Sequence, residues 1–519
     1  MNSTKLARSL IKQLIELGVS DFVISPGSRN APLSIALGEA AEKKFINLHM
    51  KLDERGAAFF ALGVSKASNN YVALVCTSGT AAANYAPAAL ESVHSGNKLI
   101  FITADRPARL RKTGANQTTD QINLYQFIST HDISSQITLS NLLDGRPVHL
   151  NVQFDEPLIT EEKDNWLQGL NVKALQFDNK VSGELRVSSG VVVIGHDRAG
   201  YSKQDITNFI SKLRWPVISE DPLSFPTSIP HASLVLADEA IRDYLVPKNV
   251  ISIGRTTLSR SINNFINSSK YKIVIDPRVK SIDTNRQADQ ILDSLPNSVI
   301  SDPTNQDSWE KVSESAKSVI NILGWSEQQV AASICKNIPN GSALFIGSSR
   351  PIRDIEAFAI PRDGIEVFAN RGLAGIDGNI STIFGIAEKF DSTYAILGDL
   401  AFLHDISALV NTPTSNLKIY VIDNNGGGIF STLPQSKASN FEKLFGTPHN
   451  LDLLKILSGF GIKASKVSNS FELESSLLKQ PVGIEIVIVA VPNRKDNAEQ
   501  LKKITQKVSS AARIGINLA

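Results

Sequence analysis

Along its 519 residues the chain repeatedly places short, predominantly apolar runs of four to six residues between polar turns, and such a run reads as a buried strand. Residues 72–76, 99–103, 191–194, 250–253, 343–346, 394–397 and 417–422 are the clearest. They lack the alternating polar positions of a strand with one wet face. Each therefore needs cover on both sides, the condition of a parallel strand beneath crossover helices. Segments of helical character separate the runs, 56–63 among them, so the expected class is α/β. A chain this long exceeds what one core can serve, which predicts three doubly wound parallel-sheet domains. The first takes 1–180, with further strands at 22–24, 47–52 and 148–152, and the second takes 185–325, with strands at 217–219 and 272–275. The third takes 330–519, with strands at 366–369 and 483–491. The polar stretch 155–189 reads as a linker and the charged stretch 308–322 as a helical connector.

Open parallel sheets bind ligands beyond the carboxyl ends of their strands, so polar clusters directly after the runs carry the most information. Gly398-Asp399-Leu400 follows 394–397, Asn424-Asn425-Gly426 follows 417–422, and 404–410 between them suits a crossover helix. A right-handed crossover returns the second strand parallel to the first. Asp399 and Asn424, 25 positions apart, are thus expected side by side on one edge. A carboxylate, an amide oxygen and a backbone carbonyl near Gly426 make a hard-oxygen set of the kind Mg2+ shares with phosphates. Glycines there would let backbone approach a diphosphate. Asp and Asn are ordinary turn residues after a strand, and only the spacing of the two clusters favours the metal reading. The turn after 191–194, Gly195-His196-Asp197-Arg198-Ala199-Gly200, lacks the Gly-x-Gly-x-x-Gly spacing, so no dinucleotide is assigned to the second domain.

Composition excludes several partners. With 53 basic against 51 acidic residues there is no field for nucleic acid, and any role for arginine is local. Two cysteines, Cys76 and Cys335, rule out a disulfide framework and fit a reducing cytoplasm, Cys76 being read as inert in an apolar strand. Leu6, Leu10, Leu14 and Leu17 have helical spacing, but Lys5, Arg8 and Lys12 interrupt them, which predicts a surface helix rather than an export signal. The apolar run 486–491 is bounded by Glu485 and Pro492, far short of a membrane span. A soluble cytoplasmic protein is expected.

Glu54 stands at the start of a small-residue-rich helical segment, where acids are favoured by the helix dipole and where small neighbours permit close approach. Four arginines follow strand runs: Arg29 after 22–24, Arg106 after 99–103, Arg353 after 343–346 and Arg371 after 366–369. One such arginine is ordinarily solvated. Four at equivalent places suit substrates with more than one carboxylate, since arginine grips carboxylates through paired charge-assisted bonds.

The Asp399 and Asn424 clusters resemble the Gly-Asp-Gly and Asn-Asn pattern of thiamin diphosphate-dependent enzymes, Leu400 departing at the third position and Ala401 adding no hydroxyl. Pro26-Gly27-Ser28-Arg29, Asp53-Glu54-Arg55, Thr113-Gly114-Ala115-Asn116-Gln117, the stretch 370–378 and the stretch 424–430 narrow the likeness. They resemble the 2-succinyl-5-enolpyruvyl-6-hydroxy-3-cyclohexene-1-carboxylate synthases of menaquinone biosynthesis. The resemblance runs from residue 20 to 435, the middle block matching only in architecture.

It implies thiamin diphosphate with Mg2+ or Mn2+, decarboxylation of 2-oxoglutarate, and addition of the product fragment to isochorismate. Asp399, Asn424 and the Gly426 carbonyl would bind the metal, with Gly398, Leu400, Ala401 and Gly427 facing the diphosphate. Glu54 would hydrogen-bond the aminopyrimidine, Ile376 would prop the cofactor's bend, and Ile429 and Phe430 would wall it. Ser28, Arg29, Arg106, Gln117, Ser349, Arg353 and Arg371 would line the substrate pocket, joined by Arg260 as a basic residue of the middle domain. The three domains then become pyrimidine-binding, central and diphosphate-binding. Because Glu54 and Asp399 fall in different domains, the resemblance also implies a cofactor bridging two subunits, hence a homodimer at least, with dimer and tetramer both left open. Acetolactate synthases and simple 2-oxo acid decarboxylases share the metal pattern, but their pyruvate-like donors need fewer arginines. A non-catalytic nucleotide-binding protein would keep only the sheets.

Overall fold

The computed structural model describes residues 1–162, 164–177, 182–278 and 287–518, and in it the apolar runs are strands of three parallel sheets. The first sheet holds β1 (Asp21–Ile24), β2 (Asn47–Met50), β3 (Val72–Cys76), β4 (Leu99–Asp105), β5 (Ser129–Ile133) and β6 (Val148–Gln153), in the order β2-β1-β3-β4-β6-β5. The middle region holds β7 (Ser182–Val187), β8 (Gly190–Ile194), β9 (Val217–Ser219), β10 (Asn249–Ile253), β11 (Tyr271–Ile275), β12 (Gln290–Leu292) and β13 (Pro296–Ser301). Five of these form the sheet β12-β11-β10-β8-β9, and β7 pairs with β13. The third sheet, β15-β14-β16-β17-β19-β18, is built from β14 (Ala343–Ile346), β15 (Glu366–Phe368), β16 (Thr393–Gly398), β17 (Leu417–Asp423), β18 (Lys463–Val467) and β19 (Ile484–Ala490). Its strand order repeats that of the first sheet, which makes the chain α/β and doubly wound, as its pattern predicts.

The strands that the pattern leaves out have one cause in common. β5, β12 and β18 are edge strands, and β7 and β13 form a two-stranded ribbon, so none needs apolar residues on both faces. The stretch 155–189 is therefore not all linker, because β7 lies within it; its residues 163 and 178–181, and the boundary at 180, lie outside the described residues. The crossover at 404–410 is also different. A helix spans Asp399–His404, so Asp399 opens a helix, and a 3-10 turn covers Ile406–Val410. The connector at 308–322 is helix Asp307–Ile320, whose Trp309, Val312 and Ala316 are buried in a core with Val508 and Ala512.

Two compact units result, one from Met1–Asp178, Gly372–Asp391 and Leu403–Ser415, the other from Asn179–Arg371, Ser392–Phe402 and Asn416–Ala519. In the first, helix Ser3–Glu16 buries Leu6, Leu10 and Leu14 against the sheet core. Full burial of such side chains contributes roughly 1.5–3 kcal/mol each. Helix Glu54–Ser68 starts at Glu54 with the Asp53 side chain as its cap, accepting from the Arg55 and Gly56 amides. It meets helix Asn379–Ala387 backbone to backbone: a Cβ on Gly63 would lie 2.1 Å from the Thr382 carbonyl oxygen, and one on Gly385 would lie 2.1 Å from that of Phe60. The small residues at 56–63 exist for this crossing, which fixes the helix that begins at Glu54.

Gly385→Val should therefore lower the thermal midpoint by several degrees, since overpacking costs about 1–3 kcal/mol even where side chains alone must move. Gly38→Ala, at a helix position where a Cβ meets nothing within 4 Å, should leave the midpoint unchanged or raise it. Calorimetry of the two variants checks both.

Candidate active site

The carboxyl edge of the third sheet carries the first constellation. β16 and β17 pair in register through Gly398 and Ile422, so the residues that follow them meet. The Asp399 carboxylate is buried, its Oδ2 accepting from the Gly426 amide at 2.8 Å and its Oδ1 from the Leu400 amide at 2.7 Å. Burial, with the Asp423 charge adding, pushes this carboxyl up to about 6 against those amides. Asn424 is buried beside it, its Nδ2 donating to Glu327 at 2.5 Å while its Oδ1 has no hydrogen-bond partner among the described residues.

Two neighbours carry no sequence signal. His449 Nε2 lies 3.3 Å from Asp399 Oδ2 and 3.6 Å from Asp423 Oδ1, and these three side chains bring ligand atoms within 4.8 Å of one another. His449 sits 50 residues from Asp399 in an irregular stretch, where spacing predicts nothing. The donor set fits a hard divalent cation and a diphosphate: carboxylate oxygens, an orphaned amide oxygen, and at Gly398 open space that a Cβ would enter freely. Gly426 and Gly427 are needed by packing, since Cβ atoms there would meet the Gly446 and Phe445 carbonyl oxygens at 2.1 and 2.3 Å. The side chain of Phe430 packs on Phe445, with ring centroids 5.6 Å apart.

The same unit holds a cavity of about 550 Å3. Arg260, Arg350 and Arg353 reach it, as do apolar Leu258, Ile429 and Leu433 and the acids Asp354 and Glu356. Arg260 begins helix Arg260–Ser268, and Arg353 lies in helix Arg350–Phe358, its Nη1 donating to the Ser349 carbonyl at 2.6 Å. Ser349 stands at the position before that helix, with no side-chain capping bond, at φ 75 and ψ −119, a conformation that strains any residue but glycine. Gly79 adopts nearly the same pair, φ 80 and ψ −128. Arg371 is buried against Glu220, Nη2 to Oε1 2.9 Å, and stands near Arg353 and Glu356. Glu327 joins the two regions, pairing with Arg350 at 3.6 Å and accepting from Asn424.

Glu54, Ser28, Arg29, Arg106, Gln117 and Ile376 lie in the other unit. Arg106 Nη1 donates to Ser78 Oγ at 2.9 Å and to the Gln117 carbonyl at 2.8 Å, and Gln117 Nε2 donates to the Ser78 carbonyl at 3.1 Å. Arg29 Nη1 donates to the Phe154 carbonyl at 3.2 Å and to Glu156 at 3.1 Å. Burial, then the Arg29 charge, pushes the Arg106 guanidinium down, so the two cations share one neighbourhood. Ser28 is exposed there. Glu54 is half-buried near Cys76 and Tyr85; burial pushes the Cys76 thiol up, and the Glu54 charge adds to it, which leaves that thiol inert. Ile376, 40% exposed, sits in a loop whose Gly372 and Leu373 amides donate to the buried Glu91 carboxylate at 2.8 and 2.7 Å.

Comparison with known proteins adds family relationships to this geometry. A family model described as "Thiamine pyrophosphate enzyme, N-terminal TPP binding domain" matches residues 4–124, and one described as "Middle domain of thiamine pyrophosphate" matches residues 159–346. Curated relatives named 2-succinyl-5-enolpyruvyl-6-hydroxy-3-cyclohexene-1-carboxylate synthase span the chain almost end to end. That of Nocardioides sp. (strain ATCC BAA-499 / JS614) is 34% identical, covering 97% of this chain and 98% of its own. That of Lysinibacillus sphaericus (strain C3-41) is 33% identical over 98% of both, and that of Thermobifida fusca (strain YX) 34% identical over 98% and 99%.

Two outcomes follow from the local chemistry. Ser349→Gly relieves a backbone strain of about 1–3 kcal/mol at an entropic cost of roughly 0.5–1 kcal/mol, so denaturant unfolding should show a net gain in stability. Burial, with the Glu220 charge adding, pushes the Glu356 carboxyl up to about 8 from an ordinary 4.5. The unfolded chain ionises first, so this group's contribution is full below pH 4.5 and is lost as pH rises to about 8. Glu356→Gln cannot lose it. The variant's urea midpoint, relative to the parent, should therefore climb between pH 5 and pH 8 and level off above.

Proposed function

The chain belongs to the 2-succinyl-5-enolpyruvyl-6-hydroxy-3-cyclohexene-1-carboxylate synthase family of thiamine pyrophosphate enzymes, and on that premise we propose that it decarboxylates 2-oxoglutarate and transfers the succinyl semialdehyde unit to isochorismate. The products are 2-succinyl-5-enolpyruvyl-6-hydroxy-3-cyclohexene-1-carboxylate and CO2, in menaquinone biosynthesis. The observation that carries this reading is the cavity of about 550 Å3, which combines arginines with apolar walls and is linked through Glu327 to the buried Asp399 and Asn424 edge.

Asp399, Asn424 and the Gly426 carbonyl would hold Mg2+ or Mn2+, with Asp423 and His449 close enough to share the task. Gly398, Leu400, Ala401 and Gly427 would present backbone to the diphosphate, while Ile376, Ile429 and Phe430 would support the rings. Bound thiamin diphosphate supplies an acidic ring carbon and an electron sink for the loss of CO2. Glu54 would hydrogen-bond the aminopyrimidine and move the proton that activates it. Both substrates are dianions, and Ser28, Arg29, Arg106, Gln117, Ser349, Arg353, Arg371 and Arg260 would divide their carboxylates between them. The apolar walls Leu258, Ile429 and Leu433 would lower the polarity around bound substrate, which favours a decarboxylation that disperses charge.

In this reading residues 1–180 are the pyrimidine-binding domain, 185–325 the central domain and 330–519 the diphosphate-binding domain. The complete site belongs to a homodimer at least. No helix among the described residues is long and apolar enough to cross a membrane. A cytoplasmic location is part of this reading.

Protein, Mg2+ and thiamin diphosphate mixed with 2-oxoglutarate should release CO2, and isochorismate should be consumed only in the complete mixture; pyruvate accepted equally well would refute the donor. Glu54→Gln should cut turnover roughly 10²- to 10⁴-fold, the range of a lost general acid-base group, without changing metal affinity. Arg371→Ala should raise the KM of one acidic substrate about tenfold or more, as loss of a charge-assisted contact requires.

A further inference from the structure

Glu220 directly follows β9 and has 0% exposure, yet no step above uses it. Its carboxylate is fully engaged. Oε1 accepts from the Leu258 amide at 2.9 Å and from Arg371 Nη2 at 2.9 Å; Oε2 accepts from the His196 amide at 3.1 Å, Arg371 Nη2 at 3.1 Å and Arg371 Nε at 3.3 Å. Two backbone amides therefore fix the acid, and the acid fixes one edge of the guanidinium. Arg371 Nη1 makes no hydrogen bond among the described residues.

A buried ion pair can serve simply to hold two sheets together. That is an expensive way to do so, because desolvating both charges offsets much of their attraction and apolar residues of equal volume do the same work. The surroundings point elsewhere. Arg371 stands beside Arg353 and Glu356, both of which line the cavity; among the described residues Glu356 Oε1 has no hydrogen-bond partner, and the side-chain hydrogen bonds of Arg371 go to Glu220 alone. Glu356 thus does not take the open edge of Arg371. Two arginines face one committed carboxylate, and a positive charge remains for an anion.

We propose that Glu220 is a positioning residue: it grips the Nε and Nη2 edge of Arg371 so that Nη1 is presented to a carboxylate of the bound substrate. The proposal rests on the reading of Arg371 as a substrate ligand and assigns the orientation of that ligand to the middle domain. Preorganisation of this kind lowers the ordering cost of binding, and at a carboxylate remote from the reacting bond it is read in KM.

Steady-state kinetics of Glu220→Gln, Glu220→Asp, Arg371→Ala and Glu220→Gln/Arg371→Ala, varying 2-oxoglutarate and isochorismate separately, tests it. Glu220→Gln should raise the KM of one substrate roughly tenfold, as exchange of a charged for a neutral partner implies, with kcat within about twofold. Glu220→Asp, which keeps the charge but withdraws it, should fall between. In the Arg371→Ala background Glu220→Gln should add less than about twofold, because a residue acting through Arg371 has nothing left to orient. An unchanged or lowered KM in Glu220→Gln overturns the proposal, as do effects that multiply in the double variant. Should Glu220→Gln not fold, Glu220→Asp decides: a KM raised for the substrate that Arg371→Ala affects supports it, and parental KM values overturn it. If Arg371→Ala itself leaves both KM values unaltered, the ligand reading of Arg371 fails first, and that failure is visible without any Glu220 variant.

Discussion

The pairing of β16 with β17 is the constraint on which the rest depends. Six consecutive residue pairs, from Thr393 with Leu417 to Gly398 with Ile422, leave no freedom in where the chain departs from the sheet. Asp399 and the turn at Asn424 consequently arrive together, and the Gly426 amide closes on the Asp399 carboxylate at 2.8 Å. A slip of one residue would turn Asp399 to the other face and bury a charge in the apolar core. The sheet is therefore a jig for a polar edge, and the pairing of the two strands sets the precision with which the Asp399 and Asn424 oxygens are spaced.

Charge around the neighbouring cavity obeys the same economy. Arg371 is buried and Arg350 and Arg353 are partly so, and each is steadied by a fixed acceptor: Glu220, Asp354 and the Ser349 carbonyl respectively. Burial of so many like charges would be prohibitive without those partners. Where a second acid is present, as at Glu356, burial and the charge of Glu220 keep it protonated near neutrality, so that the positive balance of the pocket survives. The strained Ser349 backbone belongs to this pattern, because its carbonyl anchors Arg353.

Much of this was legible in the sequence, and what was not has identifiable causes. Central strands such as β3 and β14 announce themselves because burial on both faces forces consecutive apolar residues, and both sets of bounds match the apolar runs. The polar β5 and β18 lie at sheet edges, where that pressure disappears. Asp399 and Asn424 were visible because a crossover fixes their relation. His449 and Glu220 were not: each reaches its partner through tertiary folding, across 50 and 151 residues respectively, with no period to betray it. Arg371 was seen as a cation at a strand end, but its buried partner could only be found in the fold. Gly63 showed as one of the small residues of 56–63, but nothing in the sequence pointed to Gly385 or to each glycine facing the other's helix backbone.

The central claim is that the Asp399 edge holds a metal-bridged diphosphate. Titration of the protein with thiamin diphosphate, followed by intrinsic tryptophan fluorescence or calorimetry with Mg2+ and with a chelator, for the parent and for Asp399→Asn, tests it most directly. The account predicts saturable binding that requires the divalent cation and weakens about a hundredfold in the variant, in line with the loss of one buried charged ligand. Equal affinity with chelator present, or an Asp399→Asn protein that binds as the parent does, would contradict it.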